Sequence, residues 1–161
     1  MTDVTRGRTV AVPADLPNAS VPLPGVITAG QPSAQQFEQL ARDGVEIVAD
    51  LRAASEDRGF DEAGAAARLA VEYHHIPVVG AAIGAREFEA MRTLLRSRGT
   101  RPVLVHCKSA NRVGAALIPY LVLDEHRSKE DALHLARQVG LRSDDMARAA
   151  FAHVDARTLH G

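Results

Sequence analysis

Residues 103–114 read Val-Leu-Val-His-Cys-Lys-Ser-Ala-Asn-Arg-Val-Gly, an apolar strand pattern that runs through the chain's only cysteine into a short polar loop and then a helix pattern. No other part of the sequence restricts the fold as strongly. A strand that hands directly to a helix gathers the loop N–H groups and the positive helix end around one point, where an anion or a thiolate is stabilised. Arg112 completes such a cradle with a planar fork of donors matched to a tetrahedral oxyanion. Surroundings of this kind draw a thiol down from about 8.5 towards neutrality, so Cys107 reads as a nucleophile. Lys108, Ser109, Ala110 and Asn111 then form the substrate-binding loop between Cys107 and Arg112. The competing reading is a buried cysteine that only packs. The polar run from Lys108 to Arg112 argues against it, because a strand end that only packs has no use for such a run.

Elsewhere strand and helix patterns alternate, which predicts one α/β domain with a mostly parallel central sheet of four to five strands flanked by helices. Strands are expected at Val26–Ala29, Val45–Leu51, Tyr73–Val78 and Pro102–His106. A helix opens at the Ser33/Gln36 capping-box pattern and closes at Gly44. Asp61–Ala70 reads as a small-residue helix, and Ala85–Ser97 carries Phe88, Met91, Leu94 and Leu95 on one face. Val113–Leu123 reads as a buried helix containing Pro119, and Ser128 and Ser143 cap two more. Residues 1–24, with four prolines, read as an extended N-terminal arm, and 25–161 as the domain.

Open parallel sheets bind ligands at the carboxyl ends of their strands. That edge gathers Gln31, Asp50, Arg52, Glu56 and Asp57 near Cys107. Arg52 and Gln31 are candidate substrate contacts; Glu56 and Asp50 are candidate acids, and Glu56 is equally a candidate clamp on Arg112. A structural salt bridge is as good a reading of Asp50 and Arg52, since ion-pair networks also occupy strand ends. For Gln31 the alternative is a turn residue beside Pro32.

A formal charge of -1 gives no reason to expect nucleic acid or a membrane surface as partner. The expected partner is a small anionic substrate, with a homo-oligomer left open. One cysteine allows no internal disulfide and suits a reducing, cytoplasmic setting; the N-terminal stretch has no apolar signal-peptide core. The seven histidines show no metal-ligand spacing, so neither metal nor cofactor is expected.

The order of four separated motifs carries a resemblance. Ile27-Thr-Ala-Gly-Gln-Pro-Ser33, Val48-Ala-Asp-Leu-Arg52 with Glu56, His75-Ile-Pro-Val78 and the cysteine loop are similar to the phosphatase-like domain of the beta-lactamase-hydrolase-like proteins. That domain lies within the cysteine-dependent tyrosine and dual-specificity phosphatase superfamily. The resemblance implies that fold over about residues 24 to 145, hydrolysis of phosphate monoesters through a phosphocysteine, and a catalytic role for His106 in orienting the loop. Three departures accompany it. Four residues separate Cys107 from Arg112 where the usual phosphatases have five; Val78–Arg86 offers no acid where their general acid sits; and Val113 stands where they place Ser or Thr. The four-residue spacing resembles rhodanese-type sulfurtransferases, which makes a Cys107 persulfide the alternative chemistry. A non-catalytic anion-binding module is the third reading.

Overall fold

A computed structural model describes residues 9–160. Five strands, β1 (Ser20–Leu23), β2 (Val26–Ala29), β3 (Ile47–Asp50), β4 (Glu72–His75) and β5 (Val103–His106), form one sheet in the order β1-β2-β5-β3-β4. Every neighbouring pair is parallel except β1 with β2. The helices are α1 (Ala34–Arg42), α2 (Glu62–Arg68), α3 (Ala85–Ser97), α4 (Asn111–Pro119), α5 (Lys129–Val139) and α6 (Asp144–His160). The predicted α/β class and sheet are therefore what the chain adopts.

Strand register brings the site together. Ala29 and Asp50 both pair with His106, and His75 pairs with Asp50, so four parallel strands end at one level with β5 in the middle. Cys107 leaves the sheet at the centre of that edge. Because side chains alternate along a strand, β5 feeds two cores. Val103, Val105 and Cys107 join the core built with α3 to α6, whereas Leu104 joins Phe37, Leu40, Ala65 and Ala66 of α1 and α2.

Local chemistry accounts for the element ends. Ser33 accepts from the Gln36 amide while the Gln36 side chain returns to Ser33 N–H, the full capping box. Ser128 caps α5 through Asp131 N–H, and α5 stops at Gly140 with φ 145°. Phe88, Met91, Leu94 and Leu95 of α3 are all buried, as their spacing requires.

Two elements differ from the sequence expectation. Ser20–Leu23, read as part of an arm, is an edge strand; Pro22 is tolerated there because an edge strand has one side with no ladder to complete. Residues 1–8 of that arm lie outside the described residues. The helix expected over Val113–Leu123 ends at Pro119 and widens into a π-helical turn at Tyr120–Asp124, where Glu125 N–H reaches Tyr120 C=O. Pro119 has no N–H to offer the Ala115 carbonyl, which loosens the ladder at that point. Among the described residues no helix is long and apolar enough to cross a membrane.

The helix that follows the cysteine loop is pressed against α5 at Gly114. A Cβ there would lie 2.7 Å from the Ala136 carbonyl oxygen and 2.8 Å from Leu141 Cβ. Gly114→Ala is therefore expected to lower stability by about 1–3 kcal/mol, read from denaturant midpoints; an unchanged midpoint would show that α4 and α5 are free to separate.

Candidate active site

Cys107 is 1% exposed and sits in a loop stitched to the end of β2. Its N–H donates to Ala29 C=O at 3.3 Å, and Gln31 N–H donates to Lys108 C=O at 3.1 Å. Gly30 makes this approach possible, since a Cβ there would come within 2.5 Å of the Lys108 oxygen. Ala110 closes the loop in the left-handed region at φ 66°, a conformation that costs an L-residue about 1–2 kcal/mol. Strain of this order in a functional loop must be held by its surroundings, and Gly140 packs directly on Ala110.

The loop side chains divide. Lys108 is exposed. Ser109 Oγ accepts from the Arg142 guanidinium at 2.9 Å, and Asn111 Oδ1 accepts from the N–H groups of Arg142 and Ser143 at 2.7 and 3.2 Å. Asn111 and Ser109 thus fasten the loop between α5 and α6 to the cysteine loop.

Arg112 is fixed by Glu56. Both terminal nitrogens donate to the two Glu56 oxygens, at 2.7 and 2.9 Å, and one also donates to Val78 C=O at 3.1 Å. Glu56 also accepts from Arg52 Nε at 3.0 Å and from Ala53 N–H at 2.6 Å. The Arg112 guanidinium, with Ala53 N–H and Arg52 adding to it, holds the Glu56 carboxyl far below the usual carboxylate range. In return Glu56 raises Arg112 above its ordinary value. Of the two readings open for Glu56, the structure therefore favours the clamp. Its carboxylate accepts four donors, and each of them favours the charged form.

Beneath this layer runs a second one. His106 Nε2 meets Glu62 Oε2 at 2.5 Å, Glu62 Oε1 accepts from Gln31 Nε2 at 2.8 Å, and Gln31 Oε1 accepts from Arg52 at 3.0 Å. His106 Nδ1 faces the Cys107 carbonyl oxygen at 3.2 Å. The hydrogen bonds consequently form an open ring that starts at the Cys107 carbonyl and passes through His106, Glu62, Gln31, Arg52 and Glu56 to Arg112. Arg52 and Gln31 are members of this ring, Arg52 giving its Nε to Glu56 and one terminal nitrogen to Gln31, and Gln31 giving its amide to Glu62.

Asp50 is fully buried and anchors the side of the ring. Its oxygens accept from Arg52 N–H at 2.9 Å, from Arg58 Nε at 2.5 Å and from the Tyr73 hydroxyl. Burial opposes its charge, but Arg58, His106 and Tyr73 together hold its carboxyl below the ordinary value. Asp50, Glu62 and His106 have ligand atoms within 4.8 Å of one another, but each of those atoms is already partnered by protein.

Sequence reasoning missed Glu62 and Arg58. Glu62 had a signal, because i+3 and i+4 spacing puts it on the same face of α2 as the buried Ala65 and Ala66. Arg58, which also donates to the carbonyls of Glu56, Arg52 and Ala53, had none. The segment after Val78 turns tightly at Gly80 and leads to Glu87, whose side chain caps α3 through Gly84 N–H.

Residues 24–153 match the family model described as DSP-PTPase phosphatase fused to NAD+ kinase. The beta-lactamase hydrolase-like protein of Xylella fastidiosa (strain Temecula1) is 34% identical over 128 residues, which is 74% of this chain and 28% of that protein. The chain thus spans little more than a quarter of that relative's length. A DUF442 protein from Shewanella putrefaciens CN-32 superposes with a TM-score of 0.73 at 23% identity, over 89% of this chain and 94% of the other. TpbA of P. aeruginosa gives a TM-score of 0.64 at 24% identity, over 95% and 90%. These structural likenesses establish the fold.

Glu56 also makes stability depend on pH in a defined direction. A carboxyl whose folded value is depressed contributes stability above its unfolded value and loses it as pH falls towards the folded one. Glu56→Gln should cost about 2–4 kcal/mol at pH 7, with the gap to the wild type narrowing as the medium is acidified below about pH 4. Chemical denaturation at several pH values reads this directly, and a constant gap would remove the ionic account.

Proposed function

This chain belongs to the family of DSP-PTPase phosphatases fused to NAD+ kinase, within the cysteine phosphatase superfamily, and we propose that it hydrolyses phosphate monoesters through Cys107. The observation that carries the reading is Arg112, whose two terminal nitrogens are held by the two Glu56 oxygens at the start of the helix that follows the Cys107 loop. A fork locked in place needs no reorganisation when charge develops on a phosphoryl group, which is the condition for electrostatic stabilisation of a transition state.

In this mechanism the Cys107 thiolate attacks phosphorus, and the bond to the leaving oxygen breaks with its electron pair departing on that oxygen. Loop N–H groups and Arg112 hold the remaining oxygens. Water then attacks the phosphocysteine, the sulfur–phosphorus bond breaks, and inorganic phosphate leaves with the thiolate restored. His106 steadies the loop through the Cys107 carbonyl. Lys108, exposed on the rim, meets the anionic substrate.

The leaving group departs without a carboxylic acid to protonate it. Glu56 and Asp50 are held as anions, Glu62 is bound to His106, and Glu87 caps a helix. A general acid contributes about 10²–10⁴-fold, so aryl phosphates of acidic phenols should outpace alkyl phosphates by at least that margin. A rate that barely changes with leaving-group pKa would overturn the acid-free mechanism.

Intact-mass analysis after p-nitrophenyl phosphate and after thiosulfate, with Cys107→Ser as control, tests the reading itself. Cys107-dependent release of phenolate is expected. A gain of one sulfur on Cys107 with no phenolate would instead favour sulfur transfer, the chemistry that a four-residue spacing also fits.

A further inference from the structure

The loop between α5 and α6 lies against the cysteine loop and carries one charged side chain to it. Gly140 packs on Ala110, and Asn111 Oδ1 accepts from the N–H groups of Arg142 and Ser143, so the backbone there is fixed. The Arg142 guanidinium donates to Ser109 Oγ at 2.9 Å and to Gly140 C=O at 3.4 Å. After these two bonds it still has N–H donors to spare, on Nε and on both terminal nitrogens, and among the described residues nothing else takes them. Both acceptors are neutral. The arginines of the inner site are different: Arg52 and Arg112 share Glu56, and Arg58 has Asp50. Arg142 is exposed and pairs with no carboxylate among the described residues, and the same holds for Lys108, the chain neighbour of Ser109.

We propose that Arg142 forms a second anion subsite at the rim of the Cys107 loop, fitted to a small phosphate ester that carries a further phosphate group close to the one Cys107 attacks. Two residues of chain span at most about 7 Å, so Ser109, and the guanidinium on its hydroxyl, lie within reach of one small molecule seated on Cys107. A guanidinium already anchored by neutral acceptors loses little freedom when a ligand arrives, and its remaining donors keep the fork geometry that phosphate oxygens accept. Lys108, with no hydrogen-bond partner among the described residues, adds a mobile second charge, and the pair of cations suits a phosphate dianion better than a single carboxylate. Charge left without a counter-ion at the mouth of a site also draws anions towards it. The inference deepens the phosphatase reading and rests on it for the reaction at Cys107, not for the binding of the second anion.

A matched pair of ligands that cannot be hydrolysed isolates the subsite: methylphosphonate, with one anionic group, and methylenebisphosphonate, with two. Titration calorimetry on the wild-type protein is expected to show the bisphosphonate binding about tenfold more tightly, the effect of one or two charge-assisted hydrogen bonds. Arg142→Gln is expected to remove most of that preference, and Arg142→Lys to keep part of it. Arg137→Gln, which takes the same charge from the exposed side of α5, is expected to leave the preference as it is. A wild type that binds the two ligands equally, or binds neither, overturns the proposal. So does a preference that survives Arg142→Gln, or one that falls as far in Arg137→Gln. Equal weakening of both ligands by Arg142→Gln would mark a merely structural role for the side chain and overturns it as well. If the preference depends on Arg142 and the wild type still fails to turn over p-nitrophenyl phosphate, the subsite stands and the phosphatase reading alone is lost.

Discussion

Glu56 is the contact on which the site depends. Its carboxylate accepts twice from Arg112, once from Arg52 and once from Ala53 N–H, and so joins the loop after β3 to the start of α4. Removing it would leave two arginines, both mostly shielded from water, without their counter-ion. Breaking a buried pair from one side is costly because the remaining charge has nowhere to go, which is why one carboxylate can fix both the oxyanion fork and the layer under it. Arg58 serves the same end from the other direction, tying Asp50 to the carbonyls of residues 52, 53 and 56.

How much of this was legible in the sequence depended on whether the signal was local. The capping box at Ser33, the apolar stripe of α3 and the strand leading into Cys107 depend on near neighbours along the chain, and they appear where their patterns put them. The edge strand β1 was not legible, because four residues containing Pro22 carry no periodicity and its identity comes from pairing with β2. Pro119 was visible, yet sequence alone gave no reason to choose a π-helical turn over a kink.

The site shows the same division. Cys107, Arg112 and His106 stood out in the sequence because they lie close together where a strand pattern meets a helix pattern. Roles that depend on partners from other elements were not. Arg52 and Gln31 look like substrate contacts until Glu62 and Glu56 are placed around them, and Asn111 looks like a loop ligand until the N–H groups of residues 142 and 143 close on it. Glu62 was the instructive omission. A carboxylate on the alanine-lined face of α2 is a charge directed at the core, and a buried charge requires a partner that the chain must supply from elsewhere.

The alternation of side chains along β5 has a wider consequence. His106 and Cys107 are consecutive residues, yet one belongs to the layer of α1 and α2 and the other to the layer of α3 to α6. The Cys107 sulfur is therefore answerable to packing on both sides of the sheet. A small change in how α2 seats on the sheet, at Ala65 or Ala66, moves Glu62 and with it His106, the residue next to that sulfur. Distance from the sulfur is thus a poor guide to which inherited or engineered changes reach it.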